Sequence, residues 1–508
     1  MSSFNLVDEP WIPGIASDGS RQRASLRDVL CNAHAIREIH DPSPLVTVAL
    51  HRLLLAILHR VFGPKSSADW KLLWQRGQWD ATALELYLTT WKHRFDLFDT
   101  WRPFGQVPRM AEAGVRPIAA LLLEAASGNN ATLFDHGKVE GVEAIPAGRA
   151  ACYLLAYQAF AIGLGNSRPF DLKDGPLTRG LNVLAYGDNL FETTALNLTS
   201  EAFWPAFQES ADDAPFWERD SLPEPDERGT FPLGRTDYLT WLSRRIHLVP
   251  QGSPSRVAWC QIQQNYRLAT VPIRWDPFKR YKRDDKGVWS PEGLAADKAV
   301  WRDCHALLHM KLPDGSRPEV LDWLGKVNQW REAGEIVARP QYQLAIFGLA
   351  TAALKPRSVE RWRSERLPLP LAYLNDEFLL DQLKQALDLA RDVGTALRRS
   401  MWFLAGQLVT ELEVEALVRQ IAAENLFWPN LEEPFRRLLE AIPQGDDLQS
   451  WGEELSRAAR KAFRAVRLKL ETSRGALKAL VTAEGYFNRE LSKALEPVGK
   501  EREYESAV

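Results

Sequence analysis

The sequence predicts an α+β fold: a large irregular mixed N-terminal domain, residues 1–370, followed by a C-terminal antiparallel four-helix bundle, residues 371–508. Three observations predict it. Up to about Pro370, apolar helical patterns alternate with short β-branched and aromatic runs. Beyond it, DEFLLDQLKQALDLARDVGTALRRSMWFLA, ELEVEALVRQIAAENLFW, NLEEPFRRLLEAI, LQSWGEELSRAARKAFRAVRLKLETS and GALKALVTAEGYFNRELSKALEP all repeat apolar residues at i, i+3, i+4 and i+7. The joints PQGDD and SRG are short, as between neighbouring helices of a bundle. The boundary falls near Pro368–Leu374.

In chain order, Ser43–Phe62 reads as a strongly apolar helix and Asp80–Arg94 as a second, with Asp at its start. AACYLLAYQAF, ending at Phe160, reads as a buried helix. The twenty residues from Ala161 to Gly180, AIGLGNSRPFDLKDGPLTRG, hold four glycines, two prolines and three basic residues, so they form neither a helix interior nor a central strand. LNVLAYGDNLFETTALNL after them reads as strand then helix. The span Gln208–Arg228 has eight acidic residues, two basic residues and three prolines and reads as a solvated loop. TDYLTWLSRRIHLVP and RVAWCQIQ read as strands with turns between them.

The composition, 45% hydrophobic and 25% charged over 508 residues, is that of a globular chain with a sizeable core. A net charge of −3 excludes bulk basicity, so a nucleic-acid binder of this kind concentrates its positive charge locally. The 19 tryptophans are expected half-buried or at interfaces. Four cysteines without framework spacing fit a reducing, cytoplasmic setting. No apolar run is read as reaching the ~18 residues of a membrane span. The opening MSSFNLVDEPWIPG has no basic leader segment, and no signal peptide is expected.

Motifs narrow the chemistry. In the glycine loop, GxxxxGK[ST] is absent, and GxGxxG fails at Arg168 and follows a helix, so an NTPase does not fit. Two readings stand for the loop: a plain connection, or small residues that let backbone approach a nucleic-acid groove. CHALLHM places Cys304, His305 and His309 within two helical turns, with Cys260 a conceivable fourth zinc ligand, but no second ligand pair exists and no metal or other cofactor is expected. His40-Asp41 has the form of the HD pair of metal-dependent phosphohydrolases, yet sits in a proline-containing turn. No catalytic set emerges. Between Asn265 and Lys286, seven basic residues, Arg267 and Lys279 among them, interleave with Tyr266, Trp275, Phe278 and Tyr281, a composition suited to phosphate contact and base stacking, or to a loop neutralised by its aspartates. In SRAARKAFRAVRLKLETSR, Arg457, Arg460, Arg464 and Arg467 fall at helical spacing beside the apolar face of Phe463, Val466 and Leu470, with one acid in the segment. KPRSVERWRSER, Lys355 to Arg366, mixes basic residues with glutamates.

FNLVDEPWIP at Phe4–Pro13, SGNNATLFDHGK at Ser127–Lys138, the glycine loop, YGDNLFETTALNL, WDPFKRY and ERWRSERLPLP, in that order and followed by a helical tail, resemble the large subunit (CasA family) of the type I-E CRISPR surveillance complex, Cascade. The resemblance implies a subunit that is not an enzyme. It would read the protospacer-adjacent motif on double-stranded target DNA, mainly from the minor groove, and start unwinding while guide RNA reads the sequence. Its implied partners are the guide-RNA-containing Cascade subunits, that DNA, and a helicase-nuclease effector; no membrane is involved. The bundle would help hold opened DNA. Carried over by position, a loop meeting the guide-RNA handle and the motif falls on Phe134, Asp135 and His136. The groove loop falls on Gly163, Leu164, Gly165 and Asn166, with Gly165 in closest approach. The cationic groove contact falls on Arg267, with Lys279 second. A wedge hairpin falls on Ala353, Leu354 and Lys355, without the family's glutamine. Arg457, Arg460, Arg464 and Arg467 would meet the DNA backbone. The competing readings are a metal-dependent nuclease using His40, Asp41, His305 and His309, and an RNA-binding structural scaffold.

Overall fold

The computed structural model describes residues 3–110, 113–123, 144–163, 173–204, 210, 212–221, 229–264, 268–269, 276–295, 299–309, 315–352, 355–445, 448–471 and 476–497, with backbone alone at 202, 253–254, 295, 350–352 and 355–361. The fold mixes helix and sheet. The chain divides into two compact units, Met1–Val300 with Met310–Arg366, and Trp301–His309 with Leu367–Val508.

In the first unit, strands β1 (Ile12–Ala16), β2 (Arg21–Ala24) and β3 (Ile36–Ile39) form an antiparallel sheet in the order β2-β1-β3. Helix α1 (Pro44–Val61) begins at a proline, whose missing N–H costs nothing in a first turn, and Ser43 Oγ accepts from Val46 N. Its length and apolarity satisfy a membrane-span criterion, which corrects the reading that no such run exists. The physical reason for that composition is burial: Leu45 to His59 are all buried, with helix α3 (Ala147–Phe160) against them. Between these two, helix α2 (Ser67–Gln75) starts at a Ser66/Asp69 capping box and turns Trp70 and Trp74 inward. Trp70 meets Trp323 of helix α5 (Glu319–Glu332) edge-on at 5.1 Å. Trp11, Trp70, Trp204, Trp301, Trp323 and Trp451 are among the largest fully buried side chains, so much of the tryptophan serves the cores.

Strand β4 (Leu181–Tyr186), buried throughout, leads to helix α4 (Leu190–Asn197), capped by Asn189 accepting from Glu192 N at 2.9 Å. β5 (Arg244–Gln251) and β6 (Ser253–Gln264) are antiparallel neighbours about Gly252, whose φ of 68° suits glycine. β7 (Gln341–Ala352) pairs antiparallel with β4 and lies beside β8 (Lys355–Pro370).

Two local expectations change. The strand read over TDYLTWLSRRIHLVP begins only at Arg244, because Arg235–Leu239 is helical. The Asp213 carboxylate accepts from Thr236 N and Asp237 N at 3.1 and 2.9 Å and fixes that first turn. The acidic span read as a solvated loop includes Phe216–Glu218, a short helical turn with Trp217 buried and Glu218 paired to Arg60 at 2.6 Å.

The second unit is helical. Helix α6 (Glu377–Leu408) is capped by Asp376, and α9 (Gln449–Leu470) and α10 (Ala476–Ala494) pack on it. The segment read as one helix from Glu411 to Trp428 breaks into α7 (Val414–Ile421) and a short helix Glu424–Phe427, with Ala422 between them at φ 47°. α8 (Glu432–Ala441) follows. Gly394 of α6 lies where a Cβ would come within 2.8 Å of Trp428 Cζ2, so its bareness admits that ring. The unit also takes in Trp301–His309, which the sequence reading assigned to the large domain. Trp301 stacks on Phe435 at 4.7 Å, and the Arg302 guanidinium lies 3.6 Å from the Trp428 ring centre.

Candidate nucleic-acid interface

The glycine loop rises from a closed collar. Helix α3 ends by Tyr157 O accepting from Ala161 N, and the chain runs through Ile162 to a half-buried Gly163. Residues 164–172, holding Leu164, Gly165 and Asn166, lie outside the described residues. On the returning side, Gly175 N donates to Ala161 O at 2.7 Å, Leu177 N to Ala159 O at 2.8 Å, and Thr178 Oγ1 to Ala161 O at 2.9 Å. Gly163 N donates to Asp174 Oδ1 at 2.7 Å, and Asp174 is held in turn by Arg179 Nε at 2.7 Å. The stitching requires backbone to touch backbone: a Cβ on Gly175 would lie 2.7 Å from Ala159 O.

Two buried cations lock the collar. Arg244, at the start of β5, donates from Nη2 to Lys173 O at 2.6 Å and to Ile162 O at 3.3 Å, bridging the two limbs. Burial lowers its pKa. Lys279 Nζ donates to Pro176 O at 2.5 Å and Arg179 O at 2.9 Å. With 4% of its surface exposed, Lys279 is not positioned as a groove contact, which corrects the expectation for it. Burial pulls its ammonium down to about 8, with Asp276 opposing. Asp276 is itself bound by Arg52 Nη1 at 3.2 Å and by Tyr238 Oη–H at 3.0 Å. Phe278 and Tyr281, read as candidate stacking rings, are core residues here. Sequence reasoning missed Arg244, Asp174 and Gly175 because their roles arise from contacts across the fold. The one available signal was an arginine in a run otherwise read as strand.

The arginine stripe lies on α9 as the spacing required, with Phe463 and Val466 buried behind it and Phe463 stacked on Phe487 at 4.7 Å. Its charge is less bare than the segment suggests, because acids arrive along the helix and from α10. Arg457 pairs with Glu454 at 2.6 Å, Arg467 with Glu484 at 2.9 Å, and Arg460 Nη1 donates to Asn488 Oδ1 at 2.8 Å. Arg464 is exposed and has no ion-pair partner among the described residues.

Phe134, Asp135, His136 and Arg267 lie outside the described residues, as do Ala353 and Leu354; of Lys355 only the backbone is described, opening β8. Asp41 is buried, ion-paired to Arg149, and accepts from Ser43 N at 2.9 Å, so it fixes the entry to α1. His305 and His309 face each other edge-on at 5.8 Å in the second unit. No group of three or more His, Cys, Asp or Glu side chains suited to a metal occurs among the described residues.

Comparison with known proteins follows the same outline. The family described as CRISPR-associated protein Cse1 matches residues 5–469. A CRISPR-associated protein CasA/Cse1 of Thermus thermophilus is 32% identical over 520 residues, covering 98% of this chain and 99% of that protein. The crystal structure of Thermus thermophilus CasA superimposes with a TM-score of 0.81 at 30% identity, over 96% of this chain and 99% of that one. A chain of a CRISPR RNA-guided surveillance complex, 21% identical, shares the fold with a TM-score of 0.74 over 97% of this chain and 100% of that one.

Proposed function

Because the chain belongs to the CRISPR-associated Cse1 family, we propose that it is the non-catalytic large subunit of a type I-E Cascade complex. In that role it recognises the protospacer-adjacent motif on double-stranded DNA, promotes local unwinding and R-loop formation with the guide RNA, and helps recruit the helicase-nuclease. The observation that carries the reading is the collar. Fastening residues 159–163 to 173–179 through three backbone-to-backbone or hydroxyl contacts and the buried Arg244, with Lys279 holding the returning limb, fixes where a glycine-bearing loop leaves the domain. A loop offered to a minor groove about 6 Å wide needs small residues at its tip and a base that does not yield. The collar supports such a device, with Gly165 in closest approach. The wedge on Ala353, Leu354 and Lys355 and the handle loop at Phe134–His136 complete it. The second unit acts as a four-helix bundle holding opened DNA, with Arg464 its principal phosphate contact.

The test is binding of the reconstituted complex to duplex targets with varied adjacent motifs across a salt series. Gly165→Asp is expected to abolish motif dependence while guide loading survives. Arg464→Ala is expected to lower the salt slope by about one, and Arg467→Ala by less, since Glu484 already shares its charge. Unchanged motif dependence in Gly165→Asp reduces the loop to a plain connection.

A further inference from the structure

Strand β5 carries two consecutive arginines, and successive side chains of a strand point to opposite faces. Arg244 turns into the loop collar. Arg245 lines a separate pocket of about 240 Å³, whose walls include Arg94, Trp101, Arg102, Phe104 and Arg219. Phe104 lies nearly parallel to Trp217 at 6.0 Å, giving the pocket an aromatic floor, and Trp217 is anchored by its Nε1–H to Tyr87 Oη at 2.9 Å. Trp101 stands at the pocket 81% exposed, an unusual position for so large an apolar ring. It is nonetheless held: Asp99 Oδ1 accepts from Trp101 N at 2.8 Å and from Arg102 N at 2.6 Å.

The charge is lopsided. Four arginines line the pocket against one acid, Asp220. Arg219 is engaged by Asp237 at 3.0 Å. Arg245 is half-buried and has no ion-pair partner among the described residues. The Asp220 side chain is 94% exposed, yet both Arg94 Nη2, at 2.9 Å, and Arg102 Nη1, at 3.2 Å, converge on its Oδ1. A carboxylate so exposed gains little from its partners, so another anion displaces it cheaply. A phosphate is the better-suited occupant, since guanidinium forks match its oxygens.

We infer that this pocket is a second nucleic-acid site, taking one nucleotide of a single-stranded segment with its base on Trp101 and its phosphate on Arg94, Arg102 and Arg245. A flat base beside an anionic phosphate is what an exposed indole beside a guanidinium cluster recognises. The site is built from residues the glycine loop does not use, and it stands whether or not that loop reads a groove.

The experiment uses the full-length chain with short fluorescein-labelled single strands, RNA and DNA in separate arms. Thiouridine- or thiothymidine-bearing versions are crosslinked, and the adducts are mapped by peptide mass spectrometry. The adduct is expected on the peptide containing Trp101. Trp101→Ala is expected to weaken binding about tenfold, and Arg245→Gln to weaken it and lower the salt slope by about one. Asp220→Asn is expected to tighten binding about threefold by removing the competing anion, a gain that misfolding cannot imitate. Preference for either strand type supports the site and identifies its source. Adducts confined to other peptides, weaker binding by Asp220→Asn, or capture of an acidic peptide in place of both oligonucleotides overturns it. Gly165→Asp in parallel separates this site from the groove loop, since an adduct at Trp101 is expected to survive that change.

Discussion

Lys279 shows how a basic residue in a basic, aromatic segment ends up facing inward. Its ammonium replaces water with the carbonyls of Pro176 and Arg179, and burial draws it from the ordinary lysine value of 10.5 to about 8. The depressed value means that the unfolded chain holds a proton at this residue more readily than the folded one between those limits. Stability therefore rises with pH across that window, and the cost of the buried charge is felt in full below it. At about 1.4 kcal/mol per pH unit, the span amounts to roughly 3 kcal/mol. Lys279→Met is expected to flatten this part of the stability profile relative to the unaltered chain. Thermal melts of both proteins between about pH 8 and pH 10 check it; parallel profiles would mean that Lys279 is solvated.

Helix α1 carries the same principle across a whole element. His51 and His59 lie on it fully inside the core: burial lowers His51 to about 4 and His59 well below its ordinary value. Among the described residues neither nitrogen of His59 has a hydrogen-bond partner, and its ring meets Trp204 edge-on at 5.9 Å. Both imidazoles are neutral when folded and gain a proton more readily when unfolded. Stability thus falls as pH drops from 6.5, the ordinary histidine value, toward 4, by up to about 1.4 kcal/mol per pH unit for each ring. His59→Phe is expected to make that acid slope shallower without loss near neutral pH, measured by urea unfolding between about pH 7 and pH 5. A steeper slope would refute the account. Elements of this kind were legible in the sequence when their signals were local. α1 announced itself by its apolar run, the helix after Asp80 by the cap beside it, and β4–α4 by strand pattern, then Asn189. Elements whose cause lies far along the chain were not legible. The Arg235–Leu239 turn is capped by Asp213, and Lys279 is drawn inward near an aspartate whose partner Arg52 is 224 residues from it. The candidate site divides the same way: the arginine stripe follows from spacing alone, whereas the collar exists only once β5 and the loop limbs have met.

At the scale of the molecule, the helical unit is assembled from two stretches of chain, and Trp301–His309 supplies part of its interior. Trp301 is 2% exposed and stacks on Phe435. Trp301→Ala is expected to cost about 3–5 kcal/mol through the void left behind. A fragment beginning at Leu367 is expected to melt below the same fragment supplied with a peptide spanning residues 299–309; equal melting would show that the segment adds nothing. In the other unit, neighbouring residues of β5 serve two different places, the collar through Arg244 and the pocket through Arg245. A substitution can remove either cation and leave the other. One residue inserted or deleted just ahead of Arg244 so that the register of β5 slips by one reverses both faces together. A shift of this strand by one position therefore removes loop anchor and pocket in the same step, where a point substitution removes one of them.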